Sequence, residues 1–297
     1  MYHTPVMLKE SIEGLAIKPD GVYVDATYGG GGHAREILNN LTTGRLIAFD
    51  QDEDALRNKP DDERCTLIHQ NFRYMKNFLR LYKAMPVDGI LADLGISSHQ
   101  IDVPARGFSI RYDTELDLRM DQKKSLSAKY ILNTYSFERI REIFSLYGEL
   151  NNAGAIASLI VKGRQDQEII TVNQFRNLLT SCTPRGKENQ FFARIFQALR
   201  IEVNDELEVL KELLRQSNEL LIPGGRLVVI AYHSLEDRLV KNFMKTGNFE
   251  GNLEKDFYGN VIQPLFPLTR KPVEPSDEEI EKNNRSRSAK LRIAEKR

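Results

Sequence analysis

The chain has very little cysteine: Cys65 and Cys182 stand far apart among 297 residues and offer no metal-type spacing. No apolar run approaches the roughly 18–20 residues of a membrane span, and Met1-Tyr2-His3-Thr4-Pro5 holds no signal-peptide core. The expectation is a cytoplasmic protein with no membrane partner. There is no excess of charge either, since 42 lysines and arginines balance 42 aspartates and glutamates. Overall charge therefore does not announce a nucleic-acid ligand, and any basic footprint has to be local. Repeats and long low-complexity tracts are absent too. The remaining composition, 28% charged and 41% hydrophobic, is that of an ordinary globular chain of one large domain or two smaller ones.

The most informative stretch is Val22-Tyr23-Val24-Asp25-Ala26-Thr27-Tyr28-Gly29-Gly30-Gly31-Gly32-His33-Ala34. An apolar strand ends in a carboxylate, passes four glycines and enters a helical pattern over 34–41. Glycines there let the backbone approach a bound molecule and adopt positive φ. The helix that follows points its unpaired N–H groups at the same place. Such a turn after the first strand builds the nucleotide pocket of a doubly wound α/β sheet.

Further short apolar runs over 45–49, 66–70 and 89–93 read as strands with helices between them, a βαβα rhythm that implies a parallel sheet. The rhythm breaks after Ile101. Loop-like sequence over 106–120 and helical patterns over 127–135, 136–147, 152–165 and 171–182 follow, without a convincing strand. The organisation expected is a first α/β part over 1–104, an inserted helical domain over 105–190, and a second α/β part over 191–297. In that last part Phe192–Leu221 reads as one long amphipathic helix, stopped by Pro223-Gly224-Gly225 before a strand over 226–232. A polar, proline-containing segment covers 247–284, and an alternating strand pattern over 288–294 closes the chain.

Gly29-x-Gly31-x-x-Ala34 matches a dinucleotide fingerprint, which alone is weak. Asp50 ends the second strand about 20 residues on, where a carboxylate grips ribose hydroxyls. Asp52 and Asp54 suit a cap and first-turn acid of the next helix better. NAD and S-adenosylmethionine both present an adenosine to such a site. Asn71-Phe72 after the third strand (an amide and a flat ring for adenine), Asp93 at the end of the fourth, and the Leu221-Ile222-Pro223-Gly224-Gly225 passage favour the methyl donor. No pyrophosphate then has to be cradled.

A more specific likeness runs from residue 3 to about 296. His3-Thr4-Pro5-Val6, Asp25 to His33, Asp93-Leu94-Gly95-Ile96-Ser97-Ser98-His99-Gln100, Arg106-Gly107-Phe108-Ser109 and Leu116-Asp117-Leu118-Arg119-Met120-Asp121 resemble the RsmH (MraW) family. So do Phe196-Gln197-Ala198-Leu199-Arg200-Ile201-Glu202-Val203-Asn204, His233-Ser234-Leu235-Glu236-Asp237-Arg238 and Arg285-Ser286-Arg287-Ser288-Ala289-Lys290-Leu291-Arg292. The resemblance implies a class I, Rossmann-like S-adenosylmethionine-dependent methyltransferase with an inserted helical, substrate-recognising domain. It implies methylation of the N4 amine of a cytidine in the decoding region of 16S ribosomal RNA, within the small subunit. Its cofactor contacts fall on Gly31, Gly32, His33, Asp50, Phe72, Asp93 and Gln100. Two departures touch the RNA side: Asn189-Gln190 stands where the family usually has His-Pro, and Thr114-Glu115 where it often has Gly-Pro. A homodimer is compatible with the resemblance; the sequence does not fix the oligomeric state.

An exocyclic cytosine amine is a poor nucleophile, so transfer of a methyl group to it depends on in-line positioning and an acceptor for the N–H. The donor is already activated, and no metal is expected. Asp93 is the candidate at the junction of cofactor and amine, with Ser97 or Ser98 orienting the base; the run offers no stacking ring. Asp93 as a plain turn carboxylate is the alternative. The resemblance implies that a neutral His33 imidazole packs near the methionine part of the cofactor; without it, a cap or a packing role suits His33 better. His233, at the end of the fifth strand on the crevice side, is a candidate for contact with the base or its phosphate, and Ser234 with Asp237 fits a capping box. Arg106, Arg111, Arg119, Arg285, Arg287, Lys290 and Arg292 are the local basic groups for phosphate contact. Against this, Asp117 and Arg119 fit a salt-bridged loop, and Lys290 and Arg292 the outer face of an edge strand.

Overall fold

The computed structural model describes residues 5–259 and 262–297, so His3 and Thr4 of the first motif lie outside the described residues. The chain divides into two compact units, one from the N-terminal part up to Gly95 together with Leu207–Arg297, the other Ile96–Glu206. No helix among the described residues is long and apolar enough to cross a membrane.

The first unit opens with α1 (Leu8–Leu15), β1 (Val22–Asp25), α2 (Gly32–Asn40), β2 (Arg45–Asp50), β3 (Cys65–His69), α3 (Met75–Leu81) and β4 (Val87–Asp93). The second contains α4 (Ser98–Asp102), α5 (Ala128–Thr134), α6 (Phe137–Leu146), α7 (Ala153–Asp166), α8 (Val172–Leu178) and α9 (Glu188–Asn204). The chain then continues through α10 (Glu206–Leu220), β5 (Leu221–Ala231), α11 (Ser234–Thr246), β6 (Leu265–Pro267), α12 (Asp277–Lys282) and β7 (Lys290–Lys296).

Among the described residues the sheet has seven strands in the order β3-β2-β1-β4-β5-β7-β6. The first five run parallel, and β7 is antiparallel to both neighbours. Alternate residues of each parallel strand point to opposite faces. Val24, Ile47, Phe49, Ile90 and Val229 pack with Met75, Leu79, Leu210, Leu213, Val240 and Phe243, so α3, α10 and α11 cover one face. Tyr23, Leu46, Ala48, Leu91 and Val228 pack with Leu15, Ala34, Ile37 and Leu38, so α1 and α2 cover the other. Burial on both faces is why these strands read as nearly unbroken apolar runs. The result is the doubly wound, Rossmann-like α/β fold class expected. Strand order reverses between β1 and β4, and the carboxyl ends of those strands border the crevice where such sheets hold ligands.

Three expectations need correction. First, the helical unit begins before residue 105 and ends after residue 190, so residues 96–104 and 191–206 belong to it. The reason is packing: Phe191, Phe192, Ile195, Phe196, Leu199 and Val203 of α9 complete its apolar core, and Ile96 lies against the same cluster. Second, β7 is not an edge strand. The short β6 pairs outside it, in a stretch whose composition gave no strand signal. Third, Phe192–Leu221 is not one helix. It breaks at Asp205, where φ is +57°.

Asn204 explains the break. Fully buried, it accepts a hydrogen bond from the Met120 backbone N–H at 2.8 Å and donates to the Leu118 carbonyl at 2.8 Å and the Arg200 carbonyl at 2.9 Å. Leu118 is held at φ +59°, a conformation an L-residue keeps only under such restraint. The Arg200–Glu206 ion pair, 2.8 Å, spans the corner. We predict that Asn204→Ala lowers the free energy of unfolding by about 2–4 kcal/mol, because it removes the partner of the two loop backbone groups, Met120 N–H and Leu118 C=O, in a buried setting. Urea titration followed by circular dichroism measures this, and an unchanged midpoint would contradict it.

Candidate functional site

The glycine turn is tied down from several sides. Tyr28 N–H donates to the Phe49 carbonyl at 2.9 Å, and the Asn58 side-chain amide donates to the Gly29 carbonyl at 3.2 Å. Gly29 has φ +51° and its N–H donates to Asp50 Oδ2 at 2.7 Å; a Cβ at Gly29 would meet open space. At Gly31, φ +74°, a Cβ would lie 2.5 Å from the Tyr28 hydroxyl oxygen, so the turn closes only with glycine. Gly32 starts α2 against the ring of Pro5.

Asp50 takes the Gly29 N–H on one oxygen and the Asp52 N–H, at 2.8 Å, on the other. Each oxygen keeps a second lone pair for a ligand hydroxyl. Asp52 caps the turn over 53–58, accepting from Asp54 N–H at 3.1 Å. Phe72 lies half-buried against the core beyond β3. Its neighbour Asn71 has its amide committed, donating to Gln51 Oε1 at 2.8 Å and accepting from Arg73 N–H at 2.9 Å.

Around the end of β4 three groups converge on Asp93. Its N–H donates to Thr27 Oγ1 at 2.6 Å, its Oδ1 accepts from the Tyr232 hydroxyl at 2.7 Å, and its Oδ2 lies 4.0 Å from His33 Nδ1. His33 Nε2 is 3.0 Å from the Val6 carbonyl. Burial lowers the imidazole's proton affinity, against the opposing pull of Asp25, so His33 is neutral at neutral pH. Burial and the Asp93 charge push the Tyr232 phenol well above its ordinary range, which keeps it a donor. Tyr232 and Thr27 carried no signal in the sequence: the run after β4 was read as lacking an aromatic ring, yet one arrives from the end of β5. Its ring also lies 3.5 Å from where a Cβ on Gly95 would be. Only the pairing of β4 with β5 brings them together.

His233 is the N-cap of α11. Its Nδ1 accepts from the Glu236 N–H at 3.4 Å, and the Glu236 carboxylate accepts from the His233 N–H at 3.4 Å, so the capping box is His233 with Glu236 rather than Ser234 with Asp237. In the helical unit, Ser97 caps α4 and forms a second capping box with Gln100: Oγ accepts from Gln100 N–H at 3.2 Å, and Gln100 Oε1 accepts from Ser97 N–H at 3.1 Å. Ser98 is the half-buried first residue of that helix.

Several basic groups offered for phosphate contact are spent internally. Arg106 is buried and donates to the carbonyls of Arg119 and Met120 at 3.0 and 2.9 Å. Arg119 pairs bidentately with Asp117 at 2.6 and 2.8 Å, as the salt-bridged-loop reading has it. Arg292 grips Asp237 at 2.7 and 3.1 Å. Arg111 and Arg287 are exposed.

Burial raises the carboxyls of Asp25 and Asp50 from 3.8 to about 6 each. A carboxyl held at about 6 when folded and near 3.8 when unfolded destabilises the fold fully above pH 6, and that penalty fades as pH falls towards 4. Asp25→Asn should therefore melt higher than the parent chain at pH 7.5, with the advantage shrinking between pH 6 and pH 4. Differential scanning fluorimetry across that range is the check; an advantage that grows with acidity would contradict it.

The family model described as the MraW methylase family matches residues 1–297. A relative from Parabacteroides distasonis, named ribosomal RNA small subunit methyltransferase H, is 56% identical over 297 residues, 99% of this chain and 97% of its own length. Relatives of the same name from Flavobacterium johnsoniae and Cytophaga hutchinsonii are also 56% identical, covering 99% and 100% of this chain and 98% and 100% of theirs.

Proposed function

The chain belongs to the MraW methylase family, and from that premise we propose that it methylates N4 of a cytidine in the decoding region of small-subunit ribosomal RNA, using S-adenosylmethionine. The observation that carries the reading is the crevice at the β1/β4 reversal. Glycines open it, Asp50 offers paired acceptors for a ribose, and Asp93 stands at the end of β4 between Tyr232 and His33. These residues fit the cofactor's chemistry: Gly29 leaves open space along the turn, and Asp25 keeps a buried carboxylate oxygen without a partner among the described residues.

When bound, S-adenosylmethionine supplies a methyl group already activated on a sulfonium. The protein's share is positional. Asp50 holds the ribose, Phe72 lies against the adenine, and Gly31, Gly32 and His33 complete the cofactor's surroundings. Asp93 borders cofactor and target amine, and His233 orients the base. Bound there, the cofactor would supply the methyl group to the amine, and Asp93 would accept a hydrogen bond from the amine N–H. A paired base cannot reach such a crevice, so the cytidine enters unstacked. The helical unit Ile96–Glu206 serves to recognise the RNA, with an exposed cation such as Arg111 available for phosphate.

Small subunits from cells lacking the protein, incubated with it and methyl-labelled cofactor, test the proposal through nucleoside mass spectrometry. Label on N4 of cytidine supports it; label on another nucleoside overturns the specificity. Asp93→Ala should reduce transfer at least 100-fold and weaken equilibrium binding of the cofactor, because a charge-assisted contact is lost in a water-poor site. Near-normal rate and affinity would remove Asp93 from the site.

A further inference from the structure

The cations of the helical unit divide into two sets. Several are spent within the unit: Arg139 pairs with Glu202 at 2.9 Å, Arg164 donates to the carbonyls of Leu132 and Tyr135, and Arg200 pairs with Glu206. Arg185, Lys187 and Arg194 differ. All three are exposed, and their side chains make no ion pair or hydrogen bond among the described residues. They lie on the outward side of α9 and on the turn before it. Phe191, Phe192, Ile195, Phe196 and Leu199 bury the inward side of that helix in the unit's apolar core. Lys187, Gln190 and Arg194 follow the three- and four-residue spacing that sets side chains in one row, and each is exposed. The row rises about 10 Å along the helix axis. Arg185 precedes it on a turn where every residue from Pro184 to Gln190 is exposed. Acids are nearly missing here. Between Ile169 and Leu199 the sole carboxylate is that of Glu188, which bends back to accept the Gly186 N–H at 2.9 Å.

These cations do nothing to hold α9, whose attachment is its apolar side. Their arrangement suits a partner whose negative charges recur along a line. An RNA strand is such a partner: its phosphates repeat at regular intervals, and the ribose hydroxyls between them donate to and accept from amides such as Gln190. An acidic protein surface carries carboxylates without that regular repeat. We propose that the outward row of α9, together with Arg185, is a phosphate track for the RNA substrate. Arg185, Lys187 and Arg194 neutralise phosphates, and Gln190 meets the ribose between them. The track rests on the RNA reading above and assigns the surface that holds the strand.

Filter binding of the full chain to small subunits from cells lacking the protein, over rising potassium chloride, tests this. Each lost phosphate contact lowers the slope of log affinity against log salt by roughly 0.7–0.9. Arg185→Gln, Lys187→Gln and Arg194→Gln together should lower it by about 2 to 3, and weaken binding roughly 10- to 100-fold at physiological salt. The three single variants, each one step down in slope, decide the matter if the triple variant folds poorly. Arg194→Lys keeps the charge and should keep the parent slope. Lys162→Gln removes an exposed cation from α7 of the same unit and should leave the slope unchanged. Variants of the row that retain the parent slope, or an equal loss in Lys162→Gln, would overturn the track and leave the methylation reading intact. A loss seen with intact subunits but absent with deproteinised small-subunit RNA would assign the row to an acidic ribosomal protein, against the proposal. Failure of the parent chain to bind either subunits or RNA at any salt would overturn the RNA reading as well.

Discussion

Carboxylates gathered at the carboxyl edge of a parallel sheet, one buried and two partly so, set the terms for the rest of this molecule. Asp25, Asp50 and Asp93 end β1, β2 and β4, three strands that are neighbours across the reversal of strand order. A buried carboxylate is costly unless hydrogen-bond donors surround it. Backbone N–H groups of Thr27, Gly29 and Asp52 and the Tyr232 hydroxyl serve these carboxylates, while one Asp25 oxygen stays without a partner among the described residues. The glycine turn bends as it does so that its own N–H groups reach these oxygens. The remaining acceptor capacity is stability withheld from the free protein, to be recovered when a donor-bearing, cationic ligand arrives. Folding and binding thus pull in opposite directions at the same atoms.

Much of this was legible in the sequence because it is local. Alternating short apolar runs and helical periods place the parallel strands, and a strand that ends in Asp before four glycines says where a ligand enters. Asp50 is readable from its distance along the chain. What escaped depends on tertiary pairing. Tyr232 reaches Asp93 because β5 lies beside β4, a fact with no signature in either segment. The capping partner of α11 is His233, since its own backbone is extended and the carboxylate three residues on reaches back to it, whereas Ser234 is already helical. The break at Asp205 is invisible to periodicity: apolar spacing continues through it, and only the demand of Asn204 for the loop over 118–120 decides it. β6 is three residues long and was lost in a polar stretch.

The basic groups carry a related lesson. Counted along the chain, Arg106, Arg119 and Arg292 look like a phosphate footprint. In the fold each guanidinium is consumed, by backbone carbonyls or by a bidentate carboxylate, and these arginines act as internal fasteners. Planar, five-donor geometry suits them to that task. Arg111 and Arg287 stay exposed.

The central claim, that the crevice withholds donors from its carboxylates until the ligand supplies them, has a direct thermodynamic signature. Asp25 and Asp50 sit at about 6 in the free chain. A ligand that donates hydrogen bonds and positive charge favours their ionised forms, so binding at pH 6 must expel protons. Titration calorimetry with S-adenosylmethionine at pH 6, in buffers of different ionisation enthalpy, should show a net proton release that vanishes by pH 8. Binding at pH 6 with no proton release, or with uptake, would contradict the account.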